Sequence, residues 1–375
     1  MIISFIRGKY LNNFEGQNYD LCRWKDLQFI GYSSLKPIDN NVPFKVIQLP
    51  SLVDLGVSAH VGKALSFVAN RTIGDAQVLF GLERYIVGSD VVHTADPHYY
   101  YSYQSAKLRQ LYKIRRLVVT SWETIPLNNE GTIQKKKRKY FVMKYADTFI
   151  CHTEKARNCL LAEGIEDTRI KLIPLGVNLS KFIPIESYEN EVSTILFVGR
   201  LVQEKGVLDV YNAFKSLYKE YNKSTHLRII GDGPLKKELS KRISHDCLSH
   251  VVSIEKKKYE ELPKIYNTST LLVVPSRRHP TWEEQFGMVF VEAMATGLPI
   301  ITTRSGAIEE VVGNCGLYVS ENSPKELSDA IQSLITEKSL KQKIGTMGRK
   351  RAMALYDASL VAQKIYNLYQ DLLQS

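Results

Sequence analysis

Two carboxylates, Glu284 and Glu292, are the most chemically suggestive pair in this 375-residue sequence. Seven residues separate them in EEQFGMVFVEAMATGLPIITT (residues 283–303), and Gly287 stands between. Gly287 can open a helix through Val289, Glu292 and Ala295, which Gly297 and Pro299 stop ahead of an apolar strand. The first backbone amides, at Gly287, Met288 and Val289, would then face an anion, and the helix dipole would favour a phosphate there. Glu292 would lie a turn inside the helix and Glu284 in the loop before it. The two could bind hydroxyls at opposite ends of one phosphorylated molecule. Two solvated glutamates flanking an ordinary helix would have the same spacing, so the spacing alone decides nothing.

A second element supplies positive charge. In FVGRLVQEKG (residues 197–206), Gly199 ends an apolar run, and Arg200 and Lys205 follow in the loop before a helix-forming stretch. An Arg fork and a Lys point charge together grip a diphosphate, although two surface cations would look the same. IIGDGP (residues 229–234) is a glycine-rich turn after a strand, but Lys236 stands where a dinucleotide fingerprint has its third glycine, which argues against NAD. His93 and Asp96 in VVHTADPHYYY and Glu123 in LVVTSWETIP lie at the ends of two more apolar runs. His93 is as well explained by structure as by catalysis. Asp96 is suited to bind hydroxyls, and Tyr99, Tyr100, Tyr101 and Tyr103 to stack on sugar rings; a buried tyrosine cluster explains most of the aromatics equally. No D-x-D occurs, and the five cysteines, Cys22, Cys151, Cys159, Cys247 and Cys315, include no C-x-x-C pair. No metal site is signalled, and the thiols read as buried small hydrophobes in a reducing compartment.

These residues need elements to hold them. Short β-branched runs alternate with longer helix-like stretches, the pattern of parallel sheets covered by helices. The first series is MIISFI (1–6), DVVHTA (90–95), LVVTSW (117–122), TFICHT (148–153) and KLIPLG (171–176). The second is TILFVG (194–199), HLRIIG (226–231), VVSIE (251–255), TLLVVPS (270–276) and PIITT (299–303). Each series predicts a doubly wound α/β domain, and the polar stretch 182–192 predicts the boundary. Residues 356–373, apolar at Leu360, Ile365, Leu368 and Leu372, predict an amphipathic closing helix. With 44% hydrophobic and 24% charged residues, the chain has material for two cores and is not disordered. No apolar run reaches the ~18–20 residues of a membrane span, and residues 1–6 are too short for a signal-peptide core, so a cytoplasmic location is expected.

Taken in order, FVGRLVQEKG, the IGDGP turn, VVPS followed by E-x7-E, and SGAIEEVV with GNCGLYV resemble the retaining glycosyltransferases of family 4, glycosyl transferases group 1. IPLGVNLSKF (173–182) looks like that family's interdomain segment, and YDASLVAQKIYNLYQDLL like its terminal helix. The resemblance spans essentially the whole chain. It implies the GT-B architecture, two Rossmann-like domains of doubly wound parallel sheet facing across a cleft, with the C-terminal helix returning to the first. The implied domains are residues 1–182 with 357–375 for the acceptor and residues 183–356 for a nucleotide-sugar donor. Position by position, Arg200 and Lys205 would bind the donor diphosphate, Glu284 would approach the transferred sugar, and Glu292 would bind the ribose. Backbone amides of Phe286, Gly287, Met288 and Val289 would contact sugar or phosphate, and His279 and Trp282 would shape the sugar pocket. Gly16 in NFEGQN stands for the glycine of the first strand–helix loop, with the usual doublet reduced to one. His93 matches the family's strand-end histidine. Glu123 is the departure, aligned where relatives commonly carry a histidine near the anomeric carbon. It could stabilise positive charge, orient the acceptor, act as the nucleophile of a double displacement, or be a structural hydrogen-bond partner. The resemblance, without a D-x-D, implies metal-independent front-face transfer with no cofactor, the leaving phosphate taking the acceptor proton.

The net charge of +11 is concentrated in one segment. Between Lys107 and Lys144 there are 11 Lys and Arg against Glu123 and Glu130 alone, within the implied acceptor domain. The expected partners are a nucleotide-sugar donor, a glycan or lipid-linked acceptor, and an anionic membrane surface met peripherally by the Lys107-to-Lys144 segment. A solvated charged face would carry the same charge, and nucleic acid is not the expected partner. The five consecutive cations from Lys135 to Lys139 cannot share one helical face, so the segment is no clean amphipathic anchor. Another GT-B enzyme, such as a sugar-nucleotide epimerase or a phosphorylase, or a non-catalytic nucleotide-sugar binding protein, would share most of these motifs.

Overall fold

Two parallel sheets, one for each series of apolar runs, organise the chain in a computed structural model that describes residues 1–20, 24, 26–55, 75–185, 192–220 and 224–374. Unit 1 comprises Met1–Leu175 and Ala358–Ser375, and unit 2 comprises Gly176–Asp357. The division falls ahead of the polar stretch expected to mark it. Residues 176–182 are tied to unit 2 instead, through the Val177 amide to the Tyr356 carbonyl (2.8 Å) and Arg349 to the Phe182 carbonyl (3.1 Å).

In unit 1, β1 (Ile2–Gly8), β2 (Gln28–Ser33), β3 (Lys45–Gln48), β4 (Val91–Ala95), β5 (Arg116–Ser121), β6 (Thr148–Cys151) and β7 (Ile170–Leu172) lie in the order β3-β2-β1-β4-β5-β6-β7. In unit 2, β8 (Ser193–Val198), β9 (Thr225–Ile230), β10 (Val252–Glu255), β11 (Leu271–Val274), β12 (Ile300–Thr302) and β13 (Leu317–Tyr318) lie in the order β10-β9-β8-β11-β12-β13. The helices that bear on the sites are α1 (Asn13–Gly16), α2 (Tyr100–Gln110), α3 (Ile133–Tyr145), α4 (Val207–Glu220), α5 (Met288–Ala295) and α6 (Ala358–Gln374). The central strands are buried on both faces, as their unbroken apolar character requires.

Three strands escape the periodicity. In β2, QFIGYS, Gly31 interrupts the run, and the reason is packing, since a Cβ there would stand 2.6 Å from the Phe44 ring. β3 is four residues long and partly exposed, and β13 has two. The KLIPLG run contributes only Ile170–Leu172. The closing helix α6 belongs to unit 1, where Val361, Ala362, Ile365, Leu368 and Tyr369 pack with Ile3, Phe5, Val91 and Val118. Leu360, read as part of that apolar stripe, faces solvent.

The core of unit 1 holds an ion pair. Arg7, 1% exposed at the end of β1, donates from Nε to Glu15 Oε1 (2.8 Å) and from Nη2 to Thr120 Oγ1 (3.2 Å). Its guanidinium lies 3.9 Å from the centre of the Phe5 ring. His93 is fully buried within β4, Nδ1 2.6 Å from the Tyr369 hydroxyl and Nε2 2.7 Å from Thr120 Oγ1. Burial, with the charge of Arg7, holds the imidazole well below its usual pKa. His93 is therefore not at the strand end with the chemistry. With both nitrogens engaged and no exposed surface, it bolts the closing helix to β5.

Because a stranded buried charge costs more than a lost contact, Glu15→Ala should lower stability by about 3–5 kcal/mol, measured by denaturant unfolding. An unchanged midpoint would show that the pair does not hold unit 1 together.

Candidate active site

In unit 2 the chain leaves β8 toward β9 on one side and later returns as β11 on the other. Loops that diverge from adjacent strand ends leave a crevice at the carboxyl edge, where open α/β sheets bind ligands. FVGRLVQEKG and the E-x7-E segment are those two loops. Gly206, at φ +68°, backs onto Pro275 so closely that a Cβ would stand 2.3 Å from its carbonyl oxygen. The Arg277 amide bonds the Glu204 carbonyl (2.7 Å), and its guanidinium reaches Asp209 on α4 (2.9 Å from Nε). Locked side by side, the loops bring Lys205 Nζ to 2.5 Å from Glu284 Oε2, which also accepts from Ser276 Oγ (3.0 Å). Lys205 Nζ lies 5.1 Å from the centre of the Trp282 ring, and His279 and Trp282 close a tight turn through paired backbone bonds. Arg200 is exposed and, among the described residues, forms no ion pair. Gly287, at φ +82°, starts α5 with no side-chain cap, so the amides of Met288 and Val289 point out of an uncapped helix end. Phe286 is buried edge-on against Tyr356, so any ligand contact falls to its backbone.

Glu292 lies a turn inside α5, as expected, and is buried there. It is 2% exposed, and its Oε2 accepts from the Tyr266 hydroxyl (2.7 Å). Burial raises its pKa to about 7, opposed by the Tyr266 and Tyr259 hydroxyls. A ribose hydroxyl would have to share this carboxyl with the tyrosines.

Unit 1 repeats the reversal, between β1 and β4. Asp96, just past β4, has φ +42°, and its backbone is held by its amide to the Thr120 carbonyl (2.6 Å). Its Oδ1 accepts from the Trp122 amide (3.0 Å), and burial raises its pKa to about 7, with the like charge of Glu123 adding to the rise. Glu123 does not present an open carboxylate. Oε1 accepts from the Thr124 and Ile125 amides (both 3.0 Å), and Oε2 from Asn128 Nδ2 (3.0 Å) and Asn129 Nδ2 (2.7 Å). Four donors shape the loop after β5 around it. Gly16 is a correction as well: it lies inside α1, its amide bonds the Asn12 carbonyl (3.0 Å), and a Cβ would stand 2.6 Å from Val42 Cγ1. Its smallness serves packing.

The basic segment divides by helical face. Arg138 and Lys139 are buried on α3, Lys139 bonding Glu163 (2.6 Å) and Glu130 (3.1 Å), while Arg109 chelates Asp147 at 2.7 Å through two nitrogens. Lys136, Lys137 and Lys144 face out together with Ile133 and Tyr140, at spacings that form one stripe. Sequence reasoning assigned no role to Ser276, the last residue of VVPS, nor to Arg277, Asp209, Tyr266 and the Arg7–Glu15 pair, which carry no motif of their own.

Two doubly wound parallel sheets, with cations and an uncapped helix end gathered at a strand-order reversal, define the GT-B class of sugar-nucleotide enzymes. The chain belongs to the family 4, group 1 glycosyltransferases: the model of glycosyl transferases group 1 matches residues 181–351 and that of glycosyltransferase family 4 matches residues 56–181. An uncharacterized glycosyltransferase of Methanocaldococcus jannaschii is 34% identical over 220 residues, 57% of this chain and 58% of that protein. The GDP-mannose-dependent alpha-(1-6)-phosphatidylinositol monomannoside mannosyltransferase of Mycobacterium tuberculosis is 28% identical over 211 residues, 52% of this chain and 54% of that one. These matches thus span little more than half the length of either relative. The Anabaena protein HepE, solved in complex with UDP-glucose, superposes with a TM-score of 0.76 at 16% identity, covering 99% of this chain and 100% of that one.

The buried carboxyl of Glu292 gives a pH-dependent stability. With a folded-state pKa near 7 against 4.5 unfolded, the folded state holds its proton more tightly, so this group's contribution is lost as pH rises from about 4.5 through 7. Glu292→Gln, which keeps an acceptor for Tyr266, should raise the melting temperature relative to wild type at pH 8 and by less at pH 5. An equal difference at both pH values would contradict the assignment.

Proposed function

We propose that this chain transfers a sugar, with retention of anomeric configuration, from a nucleotide-diphosphate donor held in unit 2 to a glycan or lipid-linked acceptor held in unit 1. The observation that carries the reading is the convergence of Lys205, Glu284, Ser276 and the α5 amides on the β8/β11 reversal. In the transfer, the bond from the anomeric carbon to the phosphate oxygen breaks and its electron pair leaves with the diphosphate. The acceptor oxygen bonds the same face of that carbon, and its proton passes to the departing phosphate oxygen. Charge therefore grows on the diphosphate, and fixed cations and amides there lower the barrier without a metal ion. Lys205 would turn from Glu284 to the phosphates, releasing the carboxylate to the sugar hydroxyls; Arg200 is the second cation. Glu292 would reach the ribose from below. The donors named for the relatives, GDP-mannose and UDP-glucose, belong to those proteins and mark where a screen should start.

The exposed stripe of α3 supports peripheral contact with an anionic leaflet from the cytoplasmic side. Ile133 is 71% exposed beside Lys136, Lys137, Tyr140 and Lys144, and no helix among the described residues is long and apolar enough to cross a membrane. Each such lysine contributes about 1 kcal/mol near an anionic surface. The phosphatidylinositol in the mycobacterial relative's name is consistent with a lipid acceptor for that protein.

A thermal-shift screen with UDP-, GDP- and ADP-sugars should give one class that raises the melting temperature, because a ligand bound only by the folded state at 100 times its Kd adds about 2.7 kcal/mol. Lys205→Ala should abolish that shift. Incubation with donor and candidate acceptors should then yield a transferred sugar, whereas release or epimerisation of the sugar alone would favour another GT-B reaction. In co-sedimentation at moderate salt, vesicles containing phosphatidylserine should retain the protein and phosphatidylcholine vesicles should not. Charge reversal at Lys136 and Lys137 should remove the difference, and equal binding to both vesicles would sink the membrane reading.

A further inference from the structure

We infer that Asp96, and not Glu123, is the carboxylate that takes a hydroxyl of a neutral polyhydroxylated acceptor ring, in the unit 1 crevice beside Tyr10 and Tyr99. The inference rests on the acceptor being held by unit 1.

Glu123 is excluded by its own hydrogen bonds. Both of its oxygens are taken, two backbone amides on one and two asparagine side chains on the other. A carboxylate that accepts four bonds from one loop has little left to offer a ligand. Asp96 is the opposite case. Its Oδ1 is pinned by the Trp122 amide, while Oδ2 accepts no bond from the described residues, in a residue that stays 8% exposed. The residue stands at the reversal between β1 and β4, where this sheet leaves its crevice.

Two further observations point to a ligand. Asp96 holds a left-handed backbone that costs a non-glycine residue of order 1–3 kcal/mol, and such strain persists where the surroundings over-determine it. The Tyr101 hydroxyl, in a fully buried residue near Asp96, has no hydrogen-bond partner among the described residues. An orphaned buried hydroxyl near a half-used carboxylate suits a ligand rich in hydroxyl groups. The rim is aromatic: Tyr10, 43% exposed, packs 5.4 Å from Tyr99 between ring centres, and Tyr99 lies 5.2 Å from Tyr101. A pyranose or cyclitol ring can lie against that rim with a hydroxyl on Oδ2.

The test uses the full chain with UDP present and glucose, mannose, N-acetylglucosamine and myo-inositol as probes, binding being followed by saturation-transfer NMR. Asp96→Asn keeps the oxygen that accepts from Trp122 and tolerates the left-handed backbone, but can put a donor where Oδ2 accepts. At least one ring should bind wild type, and Asp96→Asn should weaken it by ~10-fold or more, since a site built to accept a hydroxyl loses its partner. The melting temperature should not fall, and the nucleotide-induced thermal shift should not change. Asp96→Gly, which relieves the strained backbone, should melt at or above wild type and likewise lose the ring, separating a binding role from a structural one. Ring binding by either variant as tight as wild type overturns the inference, as does failure of all four rings to bind wild type. Failure of the donor reading would appear separately, as no thermal shift of wild type with any nucleotide diphosphate.

Discussion

A parallel sheet buried on both faces must send every connection over its surface as a right-handed crossover, and where the winding changes direction two neighbouring loops are forced apart. That constraint operates twice in this chain, between β1 and β4 and between β8 and β11. The polar side chains that matter gather at these two places, because only there does the carboxyl edge open.

The two reversals are furnished in opposite ways. In unit 2 the crevice holds charge close to water: Lys205 and Glu284 neutralise each other, and Arg200 forms no ion pair among the described residues. In unit 1 the charge is turned inward. Arg7 and Glu15 are buried behind the strand ends, His93 links the closing helix to β5, and Glu123 organises a loop. The same economy applies to the basic segment. Arg109, Arg138 and Lys139 are engaged within the unit, so the exposed positive charge is a smaller set: the outer face of α3, with Lys113 and Arg115 just ahead of β5.

Much of this was legible in the residues. The ten apolar runs correspond to strands because burial on both faces leaves no room for polar alternation, and the glycine, arginine and lysine of the unit 2 motif land in one loop because their spacing is local. The strands that escaped, β2 above all, did so because Gly31 answers to Phe44, a partner 13 positions away. For His93 and Glu123 the structural alternative is the one the hydrogen bonds support, and Gly16 packs against Val42; the sequence left these open for a related reason. A histidine, glycine or glutamate near a strand end has the same one-dimensional context whether it faces a ligand or packs against Tyr369, Val42 or its own loop.

The sequence by itself determined the fold class, the family, and the identity of the loops that meet at the carboxyl edge of unit 2, because periodicity and local motif spacing encode that edge directly. Tertiary structure decided which side chains there are still available. It paired Lys205 with Glu284, withdrew Glu292 beneath Tyr266, spent the carboxylate of Glu123 on four neighbours, and left one oxygen of Asp96 open. Availability depends on hydrogen bonds and burial made by residues distant in the chain, and those become definite only when the strands are in register and the loops have closed around them.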